Sequence, residues 1–96
     1  MSESNTSTKH AAVQIYVSQY CPYCTRAKGL LNAKGISYDE VDVDAEPLRR
    51  SEMIDKSNGI TSVPQIFIEQ QHVGGCDDMF ALENQGKLDA LLFPKH

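Results

Sequence analysis

The chain has 96 residues, 41% of them hydrophobic and 23% charged, with a formal net charge of −4. That length holds one small core and not two, and the acidic balance argues against a general nucleic-acid binder, which needs a basic surface. No apolar run approaches the roughly 20 residues that span a bilayer, so no membrane partner is expected.

Residues 1–10 are rich in Ser, Thr and Asn and carry no apolar h-region, so they read as a disordered tail and not as a secretory signal. One domain is expected over 11–96, in a reducing cytoplasm. Three cysteines in that compartment do not make a disulfide framework. Val13, Ile15 and Val17 alternate with Gln14, Tyr16 and Ser18, the two-residue period of a strand. Pro22 to about Lys34 follows as a helix, with proline tolerated in its first turn, an apolar stripe of Ala27, Leu30 and Leu31, and Gly35 as its stop. Ser37 to Val43 reads as a second strand whose alternation changes near Glu40. Strand, helix, strand over about thirty residues is a βαβ unit with parallel strands and a right-handed crossover.

A second helix is expected from Asp44 or Ala45 to Lys56, ended by Ser57-Asn58-Gly59. Pro64–Glu69 and Gln71–Gly74 read as a hairpin turning at Gln70. Asp77 is expected to cap a helix running to about Gln85, with a last helical segment from Leu88 to Phe93. The sum is an α/β fold: βαβ, then ββα, giving a four-stranded mixed sheet flanked by helices.

Cys21-Pro22-Tyr23-Cys24 opens the first helix. A helix start lowers a thiol's pKa through unpaired N–H groups and the positive dipole end, and the thiolate is the nucleophile. Positions i and i+3 lie about 5–6 Å apart at Cβ, near enough for a reversible bond after a small adjustment of the first turn. Cys21 is therefore expected to be the low-pKa nucleophile and Cys24 the less exposed resolving thiol.

These cysteines, with Thr61-Ser62-Val63-Pro64-Gln65-Ile66-Phe67-Ile68 and Gly74-Gly75-Cys76-Asp77-Asp78, resemble a dithiol glutaredoxin in motif order and spacing. The resemblance runs from Val13 to Leu92 and is strongest to the small bacterial glutaredoxin 3 type. It implies a thioredoxin-like fold and a thiol–disulfide oxidoreductase with glutathione as reducing co-substrate and no metal. It also implies a cis peptide before Pro64, with the backbone of Val63 receiving the cysteinyl unit of glutathione. Tyr23 would line the glutathione groove beside Ser62. Gly75 and Cys76 would open the third helix towards a carboxylate, and Asp77 would take the γ-glutamyl ammonium. Cys76 otherwise reads as a small buried hydrophobe.

One departure stands out. The family usually carries lysine three residues before the first cysteine, where this chain has Ser18. The glycyl carboxylate of glutathione then falls to Arg50, Arg49 or Lys56, with Arg50 preferred, and the field at Cys21 to Arg26 or Lys28. The partners implied are glutathione and disulfide-bearing or glutathionylated proteins, with ribonucleotide reductase among the candidates, and a monomer is expected.

Three rival readings compete with this one. Cys21, Cys24, His72 and Cys76 make a possible zinc set, although the gap between the pairs is long for a compact zinc module. An iron–sulfur carrier would share a cluster through Cys21 and glutathione, but Pro22 stiffens the loop where such carriers typically have Ser or Gly. A thioredoxin is disfavoured because the chain has no Trp.

Overall fold

A computed structural model describes residues 10–94, so residues 1–9 of the expected tail and the last two residues lie outside it. The elements are β1 (Val13–Val17), α1 (Pro22–Ala33), β2 (Asp39–Asp42), α2 (Pro47–Lys56), β3 (Gln65–Ile68), β4 (Gln71–Gly74), α3 (Cys76–Asn84) and α4 (Leu88–Leu92). The sheet order is β2-β1-β3-β4. β1 runs parallel to β2 and antiparallel to β3, and β3 pairs antiparallel with β4. The expected βαβ-ββα architecture is present, with β1 where the alternation of Val13, Ile15 and Val17 puts it and β4 at the expected Gln71–Gly74.

The alternation of β1 splits the core in two, because successive side chains point to opposite faces of a strand. Val13, Ile15 and Val17 face Ala27 and Leu31 of α1, Met79 of α3, and Leu88 and Leu92 of α4. Tyr16 faces the other way, against Val41, Val43, Met53 and Phe67. Each fully buried aliphatic side chain contributes about 1.5–3 kcal/mol. Burial of β1 on both faces therefore anchors the strand that leads into Cys21.

Several boundaries differ from expectation. β2 is shorter than Ser37–Val43, β3 is one residue shorter at each end than Pro64–Glu69, and α4 stops at Leu92 before Phe93. The second helix starts at Pro47, later than Asp44 or Ala45, because the Asp42 carboxylate accepts the amides of Asp44 and Ala45 at 2.9 and 3.2 Å and holds them in a turn. Pro47 then stands in the first turn, where no N–H is needed. The third helix is not capped by Asp77. Its N-cap is Gly75, and Asp78, three residues on, accepts the Gly75 amide at 2.9 Å.

α1 stops as the sequence implies. Gly35 has φ +72, and the amides of Gly35 and Ile36 return to the carbonyls of Asn32 and Leu31 at 3.0 Å each. The β3–β4 turn places both Glu69 and Gln70 in the left-handed region. Glu69 is tied down twice: its amide donates to the Ala12 carbonyl at 2.8 Å, and its carboxylate accepts the Ala12 amide at 2.7 Å.

Candidate active site

Cys21 occupies the N-cap of α1 in extended conformation, and its Sγ accepts the backbone N–H of Cys24 at 3.1 Å. This is the position a Ser or Asp oxygen takes at an ordinary helix start. Sulfur in that place receives one of the helix-start amides that have no partner within the helix. The first turn of α1 contains no acidic residue. Cys24 lies behind it, 2% exposed, and the two form a disulfide with Cα atoms 5.2 Å apart. Cys21 is partly buried and Cys24 fully so.

The carbonyl oxygen of Val63 lies 4.0 Å from Cys21 Sγ, and the Val63–Pro64 peptide is cis. A groove of about 380 Å³ runs from Tyr23 across Ser62, Val63 and Pro64 to Gly75, Cys76 and Asp77. Seven of the residues singled out from the sequence are thus brought to one surface beside the disulfide. Ile60, Gln65 and Asp78 complete it and were not assigned from the sequence. Gln65 is 2% exposed; its amide nitrogen donates to the Ser62 carbonyl at 3.2 Å, and its amide oxygen lies 2.6 Å from His72 Nε2. A buried glutamine beside a proline-led strand was the available signal. Asp78 was legible too, from its spacing of three after Gly75.

The two glycines differ. Gly74 has φ +123, and a Cβ there would overlap the Asp78 carboxylate, so this glycine serves the turn. A Cβ on Gly75 would meet the Pro64 carbonyl at 3.4 Å, so Gly75 sits on the wall of the groove. Of the two, only Gly75 lines the groove.

The cations are dispersed. Arg50 does not line the groove: its guanidinium donates to the Thr61 carbonyl at 3.1 Å and lies 3.6 Å from Asp44, which also accepts the Gln19 amide at 3.1 Å. Arg49 pairs with Glu52, and Lys56 donates to Gln14 and to the hydroxyl of Tyr16 on the α2 side of the sheet. Lys28 pairs with Glu40 at 3.0 Å, and Arg26 lies over the Phe80 ring. Burial pushes the Cys76 thiol above its ordinary pKa; Arg26 opposes that shift and Asp77 reinforces it. His72 is stacked near Phe67 and turned to Gln65, and among the described residues no three His, Cys, Asp or Glu side chains gather as a metal set.

A dithiol at a helix start, facing a proline-led strand on a mixed four-stranded sheet, defines a thiol–disulfide oxidoreductase of thioredoxin-like fold. The glutaredoxin family model matches residues 13–73, and the chain belongs to the glutaredoxin family. It is 55% identical over 82 residues to glutaredoxin 3 of Escherichia coli K12, covering 85% of this chain and 98% of that one. The solution structure of a Brucella melitensis glutaredoxin superimposes with a TM-score of 0.77 at 50% identity, over 88% of this chain and 91% of that one. A buckwheat glutaredoxin–glutathione complex gives 0.77 at 28% identity, over 88% and 78%.

Proposed function

We propose that this chain reduces protein disulfides and glutathione mixed disulfides with electrons from glutathione, cycling the Cys21–Cys24 pair. The observation that carries this reading is the groove beside Cys21, whose walls suit the cysteinyl and γ-glutamyl parts of one tripeptide. The backbone of Val63 offers a short strand edge to the cysteinyl unit. The first amides of α3 suit the γ-glutamyl carboxylate, since helix-start N–H groups have no partner within the helix. Asp77 suits the neighbouring ammonium, and Tyr23 gives an aromatic wall. Arg50 is the proposed contact for the glycyl carboxylate; its guanidinium has five donors, so the bond to Thr61 leaves others free. A buckwheat glutaredoxin in complex with glutathione is among the similar structures, which supports glutathione as the ligand.

The reaction is two successive exchanges. The Cys21 thiolate attacks a substrate disulfide, forms a mixed disulfide and releases one substrate thiolate. Cys24, as thiolate, attacks Cys21 Sγ, releases the second substrate thiolate and closes the Cys21–Cys24 bond. One glutathione thiolate then opens that bond at Cys21, and a second removes the first as glutathione disulfide. Two electrons pass from two glutathiones to one substrate disulfide. For a glutathionylated substrate Cys21 alone suffices: it takes the glutathionyl group, and a second glutathione collects it. The proposed setting is a reducing cytoplasm, with a monomer acting on disulfide-bearing or glutathionylated proteins.

The test is turnover of a small glutathione mixed disulfide with glutathione, glutathione reductase and NADPH. Steady NADPH consumption that vanishes in Cys21→Ser is the expected result. Activity supported by thioredoxin reductase but not by glutathione would overturn the reading.

A further inference from the structure

Tyr20 immediately precedes the nucleophile and is the most exposed of the large hydrophobic residues, at 93%. Its backbone is left-handed, with φ +56, a conformation that bulky L-residues adopt rarely and at a cost. A side chain that costs stability and buries nothing is not there for folding. Five large hydrophobic side chains are exposed among the described residues: Tyr20, Tyr23, Leu48, Ile60 and Phe93. Single exposed apolar residues need no explanation, but three of these five gather at the site. Tyr20 and Tyr23 bracket Cys21 in the chain, and Tyr23 and Ile60 share the groove.

We propose that Tyr20 is a specificity-determining residue for protein substrates, giving one side of an apolar jaw whose other side is Tyr23 and Ile60. The occupant is an extended peptide segment with a large apolar side chain next to its reactive cysteine. The position of Cys21 argues for this. A macromolecular disulfide can reach Sγ only by laying its flanking residues on whatever surrounds that atom, and on the Tyr20 side it meets an aromatic ring. Tyr20 lies outside the groove assigned to glutathione, so small mixed disulfides are indifferent to it. The inference builds on the proposed reduction of protein disulfides and adds which proteins are preferred.

The experiment compares two synthetic peptides with an internal disulfide, one with leucine beside each cysteine and one with serine there. The small glutathione mixed disulfide is the control. The expected KM for the leucine peptide is about fivefold below that for the serine peptide, the size of a partly buried aliphatic contact. Tyr20→Asn brings the two KM values together with kcat and small-substrate turnover unchanged, and Tyr20→Phe keeps the difference. Asparagine tolerates positive φ, so Tyr20→Asn is expected to unfold at or above the wild-type denaturant midpoint. Equal KM values in the wild type, an equal effect of Tyr20→Asn on the small substrate, or a lower midpoint would each overturn the proposal. Running the peptides with dithiothreitol as reductant keeps the comparison readable if glutathione proves not to be the electron source.

Discussion

Two helices begin at this groove with a cysteine, and the two sulfurs have different surroundings. At α1 the cysteine is the N-cap itself, its sulfur takes the Cys24 amide, and no acid stands in the first turn. At α3 the cysteine is one position further in, buried, with Asp77 and Asp78 beside it and the cap provided by Gly75 and Asp78. Both sulfurs are near a positive helix end, yet burial and Asp77 push the Cys76 thiol above its ordinary pKa. The dipole is worth at most ~2 kcal/mol and fades within a turn. One position along the helix, together with desolvation, is enough to outweigh it.

The comparison can be broken most decisively at the sulfurs. Cys21→Ser is expected to lower disulfide exchange by about a thousandfold or more. Serine is a good N-cap, so under reducing conditions the denaturant midpoint should hold or rise. A midpoint that falls with the activity would mean Cys21 is structural after all. Cys76→Ser is expected to behave the other way, losing about 1–3 kcal/mol of stability through a hydroxyl placed in a buried site, measured by urea denaturation of the reduced protein. Next in size, Asp78→Ala removes the acceptor of the Gly75 amide and should cost about 1 kcal/mol, with a rise in KM for glutathione as the groove wall loosens.

Smaller effects probe the thiol at α3. Because its folded pKa is raised, the stability Cys76 contributes is fully present below the ordinary thiol value of about 8.5 and is lost as pH rises through the folded value. Alkaline denaturation should therefore begin later in Cys76→Ala than in the wild type, relative to each protein's own neutral midpoint. Smallest of all, Asp77→Asn should speed alkylation of Cys76 at fixed alkaline pH by about two- to threefold, the scale of one surface-charge interaction. Arg26→Gln should slow it by a similar factor, and identical rates in all three proteins would show that burial alone sets this thiol.

Elements stood out in the sequence where local pattern decides them. β1 was fixed by its alternation, α1 by Pro22 and Gly35, and the dithiol by its place between them. What was hidden depends on partners far away in the chain. Nothing in residues 18–20 announces that the Gln19 amide is held by Asp44 or that Tyr20 turns left-handed. Arg50 is singled out by the sequence as a carboxylate ligand, but its hold on Thr61 is hidden there, because it exists only once α2 packs. The cap of α3 was assigned to Asp77 because an aspartate at a helix start is ordinarily its cap. The structure gave the task to a glycine and an aspartate three residues apart, with Gly74 supplying the positive φ that lets the chain arrive there.

Arg50 and Asp44 form a small truss. One end reaches the loop before Val63 through Thr61, and the other reaches the loop before Cys21 through the Gln19 amide. The loop that leads to Val63 and the loop that leads to Cys21 are thereby joined through Arg50, in the first turn of α2, and Asp44, in the turn before it. Neither residue lines the groove, yet a change at either would loosen the tie between its two sides.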